Sequence, residues 1–257
     1  MAQWREWRNK TMQLSKVTDD LKLSFDVGII LPTYCEAENI ERVIREIEEL
    51  KLNSLILVVD DSSPDGTAEI VRRLQKQFGN IFLMVRDRKY GLGTALTDGF
   101  KFFLSLKRKP KCIVTMDADY SHNPADIPKL VKTFESGYDL VIGSRYCRGG
   151  GIRNWNFLRL IISKIANLIA SLRVKVHIRD YTSGFRCYSL KVVESIIDNL
   201  HSQTYEIQIE NIRQAHIHKF KITETPIIFI NRKKGKSKLS IKEIYDFVSY
   251  IFAFNRK

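Results

Sequence analysis

The chain has 257 residues, 44% of them apolar and 28% charged, with a formal net charge of +13. That length holds one large α/β domain with its own core, or two small ones, and the composition is that of a folded globular protein rather than a disordered or fibrous one. No apolar run approaches the ~20 residues that cross a bilayer, no signal-peptide core opens the chain, and Cys35, Cys112, Cys147 and Cys187 lack C-x-x-C spacing or matched histidines, which argues against a zinc site or disulfide framework and for a reducing compartment.

Residues 1–25 read as a polar N-terminal extension. From there, short β-rich runs alternate with helical patterns, the mark of right-handed βαβ units and a mainly parallel sheet. Strands are predicted at Val27 to Leu31, Leu55 to Val59, Ile81 to Val85, Cys112 to Met116 and Leu140 to Ile142. Helices are predicted between them at Ala37 to Leu50, Asp65 to Phe78, Gly91 to Leu106 and Pro124 to Ser136. Continuous apolar strands such as Leu55-Ile56-Leu57-Val58-Val59 suit a sheet covered on both faces. A helix from Trp155 to Leu172 follows, with Leu158, Ile161, Ile162, Ile165, Leu168, Ile169 and Leu172 along one stripe. Beyond it the pattern predicts a strand at Phe185 to Tyr188, helices at Leu190 to Asn199 and Glu206 to His216, and a strand at Ile222 to Ile230. The basic loop Asn231 to Lys238 and an apolar helix from Ile241 to Phe254 complete the expectation. With no repeat or linker, residues 26–257 are expected to form one domain, with a nucleotide-facing half at 26–145 and an acceptor- or membrane-facing half at 146–257.

The chemistry concentrates just past the strand ends, where open α/β sheets bind ligands. Asp117-Ala118-Asp119 ends the Cys112 strand and precedes the turn Ser121-His122-Asn123-Pro124. Two carboxylates ~4 Å apart repel by about 4 kcal/mol at an effective dielectric near 20. A hard divalent cation such as magnesium removes that cost and shares its shell with phosphates; the alternative is a pair of acids that caps the following helix. Pro32-Thr33-Tyr34-Cys35-Glu36 and Asp60-Asp61-Ser62-Ser63-Pro64-Asp65-Gly66-Thr67 bring further acids and turn formers to the same sheet edge. Asp61 can accept hydrogen bonds from a base or ribose, and Tyr34 can stack on a ring. Gly91-Leu92-Gly93 follows the third strand and carries Leu96 where a dinucleotide fingerprint needs its last glycine, so a helix starting close to the sheet fits better than a redox cofactor site. Between Asp139 and Asp180 there is no acid, while Arg145, Arg148, Arg153, Arg159, Lys164, Arg173, Lys175 and Arg179 accumulate; an anion is expected to meet this stretch. A nucleic-acid partner would use that charge but leaves the acids at three strand ends unexplained, and no nucleic-acid-binding motif is present.

Pro32-Thr33-Tyr34-x-Glu36, Asp60-Asp61-x-Ser63-Pro64-Asp65-Gly66-Thr67, Gly91-Leu92-Gly93-Thr94-Ala95, Asp117-Ala118-Asp119, Gly143-Ser144-Arg145-Tyr146, Ser183-Gly184-Phe185-Arg186 and Gly235-x-Ser237-Lys238-Leu239 together resemble glycosyltransferase family 2. In this order they are similar to the members that mannosylate dolichyl phosphate, over roughly residues 26–245. The resemblance implies a glycosyltransferase A-type fold, a Rossmann-like mainly parallel sheet flanked by helices, with amphipathic helices toward the C-terminus. It implies GDP-mannose as donor, dolichyl phosphate as acceptor, Mg2+ or Mn2+ as cofactor, and a product that feeds protein glycosylation and GPI anchors; the nearest alternative is a sibling family 2 enzyme that moves glucose or another sugar to a polyprenyl phosphate or a different acceptor. On this pattern Pro32, Tyr34, Glu36, Val59 and Asp61 contact the guanosine. Asp117 and Asp119, with Ser121, hold the metal and diphosphate, and Ala118 lines the same turn. Arg145, Arg232 and Lys238 neutralise phosphates, a role suited to the arginine fork and the lysine point charge. The chain departs from the family at Cys35, where asparagine is usual, and at Lys164, where arginine is common.

A lipid phosphate has a second pKa near ~6 and brings an ionised nucleophile, so no general base is expected. In keeping with this, Glu206 and Glu210 lack the paired acids of hydroxyl-directed members. The resemblance further implies peripheral association with the cytosolic face of the endoplasmic reticulum membrane, anchored with small membrane subunits. The basic stretch and the Leu158 to Leu172 stripe are candidates for the lipid surface, and the same stripe would serve a core-packed helix.

Overall fold

The computed structural model of the chain describes residues 24–155 and 157–231. Their main sheet has seven strands: β1 (Val27–Thr33), β2 (Ser54–Asp60), β3 (Ile81–Val85), β4 (Cys112–Thr115), β5 (Leu140–Ser144), β7 (Arg186–Ser189) and β8 (Ile222–Pro226), in the order β3-β2-β1-β4-β7-β5-β8. β1, β2, β3 and β4 pair in parallel, as do β5 and β8, whereas β7 runs antiparallel to both β4 and β5. Two reversals in a row leave β5 parallel to β4. The C-terminal ends of β1, β2, β4 and β5 and the N-terminal end of β7 therefore share one edge of the sheet.

Alternation within the strands covers both faces. Leu55, Leu57 and Val59 pack on one side with Phe100, Phe103 and Tyr188, while Ile56 and Val58 pack on the other with Ile40, Val43, Ile44 and Ile47. The helices that supply those layers include α1 (Ile40–Glu49), α2 (Thr67–Gln75), α3 (Leu92–Ser105) and α4 (Ile127–Glu135). In α1 the buried residues recur at i, i+3, i+4 and i+7, and Arg42–Glu46 and Arg45–Glu41 pairs line the outer side. Each fully buried aliphatic side chain contributes about 1.5–3 kcal/mol, so this double layer fixes the strand ends that carry the site.

Two expectations change. The strand expected over Ile222 to Ile230 is two strands: β8 pairs with β5, and β9 (Ile228–Ile230) leaves for a second sheet with β6 (Gly151–Arg153), a strand the sequence pattern did not indicate. Pro226 has no N–H for a continuing ladder, and the chain changes sheets there. The helix expected at Leu190 to Asn199 is α6 (Leu190–Ile196) closed by a 3₁₀ turn, and α7 spans Ile207–Ile217. The long helix α5 (Phe157–Val174) buries Asn167, Ala170 and Val174. Most of its apolar stripe is not core: Phe157, Leu158 and Leu172 are 77%, 65% and 66% exposed. No helix among the described residues is long and apolar enough to cross a membrane. The expected final helix at Ile241 to Phe254 lies outside the described residues.

Candidate active site

The β1 and β2 ends are tied to each other before any ligand is considered. Thr33 Oγ1 and Ser63 Oγ donate to Asp60 Oδ1 at 2.8 and 2.6 Å, and Ser63 N donates to Asp60 Oδ2 at 2.9 Å. Asp65 ties the start of the next helix to the β1 loop, accepting from Thr67 N, Thr67 Oγ1 and Ala37 N. Burial acts to raise the Asp65 carboxyl, but these hydrogen bonds outweigh it and hold the pKa below the usual value. Cys35, in the left-handed region at φ 56°, donates its N–H to Ser63 Oγ. Left-handed backbone is a conformation asparagine adopts readily and cysteine does not, which gives the departure at this position a physical meaning.

Asp61 is a hub. Arg86 Nε donates to its Oδ1, and Tyr90 N and Gly91 N donate to its Oδ2 at 3.1 and 3.0 Å. Arg86 continues to Thr94 Oγ1, Gly91 O and Asp98 Oδ2, and burial pushes the Asp98 carboxyl up. The carboxylate that sequence reading gave to the base thus also pins the loop between β3 and α3. Tyr34 and Pro32 are half-buried beside it, with Lys89 Nζ 4.5 Å from the centre of the Tyr34 ring. Glu36 is buried, accepting from Asn39 Nδ2, and the Val59 side chain lies wholly in the core, so that any ligand contact at Val59 would run through its backbone. The glycines of Gly91-Leu92-Gly93 serve close packing: a Cβ at Gly93 would sit 2.1 Å from Ser202 O, and Gly93 N donates to Gln203 O. They seat α3 against the loop before α7.

The acid turn follows β4. The Asp117 side chain is 36% exposed, whereas Asp119 is buried and accepts Ser121 N at Oδ1, 3.0 Å. Ala118 is buried beneath them. Tyr120 holds a left-handed φ of 62°, a costly state for an aromatic residue, and its hydroxyl is bound by Glu46 and by Arg42 from α1. Burial, then Glu46, pushes the Tyr120 hydroxyl up to about 12, so it stays protonated. His122 is buried between Phe185 and Phe229, with Nδ1 accepting Asp117 N at 3.3 Å; burial pushes its pKa down and keeps it neutral. The Ser121 hydroxyl is buried with no partner among the described residues. The described residues contain no cluster of three acidic, histidine or cysteine ligands. Two carboxylates plus an orphaned hydroxyl form a hard, oxygen-only and incomplete set, which fits a magnesium- or manganese-type ion that takes its remaining ligands from phosphate and water.

Arg145 follows β5 at the same edge. Its Nε and Nη2 donate to Asp180 Oδ2 and Oδ1, both at 2.7 Å, and Nη2 also donates to Thr182 Oγ1. Burial acts to lower the Arg145 pKa, but Asp180 overcomes it. Burial likewise acts to raise Asp180, and Arg145 holds it below the carboxylate range. Trp155, Phe229 and Tyr146 surround the guanidinium, with ring centres 5.6, 5.6 and 5.4 Å away. The pair also docks α5, because Asn167 bonds Thr182 Oγ1 and accepts Tyr181 N. Sequence reading missed Asp180, although it is the acid that closes the acid-free stretch, as well as Arg86, His122 and the Arg42–Glu46 anchor. Of the predicted site residues, Pro32, Tyr34, Glu36, Val59, Asp61, Asp117, Ala118, Asp119, Ser121 and Arg145 come to one sheet edge; Arg232 and Lys238 lie outside the described residues.

The glycosyl transferase family 2 model matches residues 28–197. A polyprenol monophosphomannose synthase from Mycolicibacterium smegmatis is 39% identical over 214 residues, covering 82% of this chain and 80% of that protein. The chain belongs to glycosyltransferase family 2. It is a glycosyltransferase. A dolichol-phosphate mannosyltransferase from Pyrococcus furiosus is 36% identical over 230 residues, and the match takes in 88% of this chain and 62% of that longer protein. Among solved structures, a mycobacterial protein aligns with a TM-score of 0.63 at 16% identity, over 93% of this chain and 76% of the other. A mannosyltransferase from Pyrobaculum calidifontis, in complex with GDP-Man and Mn2+, aligns at 0.55 and 15% identity, over 92% and 68%. At those identities the structural likeness speaks for the fold, and the seven-stranded, mainly parallel sheet flanked by helices agrees with the A-type expectation.

Proposed function

We propose that the protein transfers mannose from GDP-mannose to dolichyl phosphate, or a related polyprenyl phosphate, with inversion from an α-linked donor to a β-linked lipid product. The observation that carries the phosphate acceptor is the state of the α7 glutamates. Glu210 accepts His201 N and Ser202 N, while Glu206 accepts Gln203 N, Thr204 N and the Thr204 hydroxyl. Both carboxylates are engaged by N–H and hydroxyl groups of the 201–204 loop, which supports a structural role for them over that of a general base. An acceptor that arrives ionised needs no base. The names of the two sequence relatives support the same donor sugar and acceptor class.

Asp117, Asp119 and Ser121 would hold the divalent ion, which when bound supplies positive charge to the departing diphosphate. The chain's own contribution is placement. Tyr120 locks the turn, His122 holds the Asp117 backbone, and the Arg86–Asp61 hub fixes the loop beside the base site. Arg145 Nη1 has no partner among the described residues, so the paired guanidinium keeps N–H groups for an incoming phosphate. Arg232 and Lys238 are assigned the same role by the resemblance. Residues 26–257 act as one catalytic domain in this reading, with donor contacts before about residue 145 and acceptor and membrane contacts after it.

The outward apolar face of α5, on an acid-free basic stretch, supports peripheral binding to an anionic membrane that presents the lipid. The cytosolic face of the endoplasmic reticulum and small anchoring subunits complete the proposal. The test is transfer of radiolabelled sugar to dolichyl phosphate from GDP-mannose or UDP-glucose, with and without chelator. Chelator-sensitive mannolipid is expected; glucolipid as the main product, or transfer indifferent to chelator, would contradict it.

A further inference from the structure

We propose that Gln208 is a specificity-determining contact for the donor's sugar, its side-chain amide hydrogen-bonding hydroxyls of the residue being transferred. The assignment rests on the sugar-nucleotide reading of the same cleft. Gln208 is 3% exposed, and its Oε1 has no hydrogen-bond partner among the described residues. A buried amide oxygen left unpaired forfeits the hydrogen bonds it would make to water, so this position is held at the expense of stability unless a ligand satisfies it.

The backbone leaves little freedom to correct the deficit. Arg186, itself fully buried, donates Nη1 to Gln208 O at 2.7 Å and its other nitrogens to Ser183 O and Tyr181 O, and Gln208 N donates to Tyr205 O. The first turn of α7 is thereby riveted to the segment leading into β7. With Glu206 and Glu210 bound to the 201–204 loop, Gln208 retains an unpaired oxygen, as do Asn211 just beyond that turn and Ser202 in the loop.

Gly184 shows where the amide sits. A Cβ there would lie 3.2 Å from Asp117 Oδ1 and 3.3 Å from Gln208 Nε2. No left-handed φ requires glycine at this position; the missing side chain lets the Gly184 backbone pack close to both the Asp117 carboxylate and the Gln208 amide. Asp117 is the more exposed member of the acid pair, so the amide lies beside the carboxylate to which the proposed function gives the ion and the donor diphosphate. A sugar bonded to the distal phosphate is within a few bonds of that carboxylate. The amide is neutral and offers a donor and an acceptor together, which suits hydroxyl groups and adds no repulsion to a nearby diphosphate.

The test is calorimetric binding of GDP and of GDP-mannose to the full chain with Mn2+, for wild type, Gln208→Leu and Gln208→Ala, alongside ligand-free melting. GDP affinity should stay within about twofold while GDP-mannose affinity falls about tenfold in both variants, the loss of one or two hydrogen bonds. An unchanged ratio of the two affinities, or equal losses for both ligands, would overturn the assignment and mark Gln208 as a support of the fold. UDP and UDP-glucose are run in parallel. If wild type gains affinity from glucose rather than mannose, the mannose reading fails and the Gln208 comparison passes to that donor: a selective loss of sugar-nucleotide affinity upholds the assignment, and an unchanged ratio overturns it. A wild type that gains nothing from either sugar overturns the assignment as well.

Discussion

At the end of β2 the acids are bound by neighbouring donors, Asp60 by hydroxyls, Asp61 by Arg86 and two amides, Asp65 by a helix start. Along α5, by contrast, Phe157, Leu158, Ile165, Leu168 and Leu172 point outward with basic residues around them. The first region is preorganised for one small polar ligand whose atoms must be matched one by one. The second presents area and charge, which suits a surface that has no fixed geometry. In the proposed reading one chain meets a soluble donor with a rigid site and its lipid acceptor with an apolar, basic face.

The sharpest way to break the first half is Asp119→Asn, which keeps the shape of the turn and removes a charge from the ion's ligand set. Transfer should fall about a thousandfold with melting nearly unchanged; a variant that keeps most of its metal-dependent turnover would remove Asp119 from the site. Next is Asp180→Asn, which strands Arg145 as a buried, half-satisfied cation and should cost about 3–5 kcal/mol in denaturant unfolding. Asp180 has a folded pKa below its ordinary 3.8, so its contribution is complete above pH 3.8 and is lost as pH falls through the folded value. Wild type should therefore show an acid loss below about pH 4 that the variant lacks.

The second half is probed by Leu158→Ser, Ile165→Ser and Leu172→Ser combined. Flotation with anionic vesicles should weaken about tenfold or more, since each buried apolar side chain contributes ~1.5–3 kcal/mol. Binding of GDP should not change, and a parallel loss of nucleotide binding would show that the two regions are not separable. The smallest effect is expected at Cys35→Asn, which relieves the left-handed backbone and should stabilise the fold by about 0.5–1 kcal/mol. No shift in melting would leave cysteine as good a fit there as asparagine.

Much of this was legible in sequence because local pattern and fold agree. Ile81 to Val85 is a strand end to end, and the apolar runs ending in Asp60 and Asp117 place their acids at one edge because parallel strands end together. What stayed hidden depends on pairings distant in sequence. The Arg145–Asp180 partnership spans two strands, the Tyr120 anchor lies on α1, and the sheet change at Pro226 needs β6, a strand too short to show periodicity. The apolar stripe of α5 could not be assigned from its spacing, since core helices and surface-binding helices share that spacing and differ only in what covers them.

In the proposed reaction the acceptor brings its own charged nucleophile, and the protein needs to supply no base. The pH dependence of kcat/KM for the lipid phosphate at saturating donor tests it most directly. One ascending limb near pH ~6 is predicted, set by the second ionisation of the phosphate. That limb should move down when the acceptor is replaced by a phosphonate analogue fluorinated at the α-carbon, whose second pKa is lower. A limb that stays where it was would belong to a group on the protein and would contradict the account.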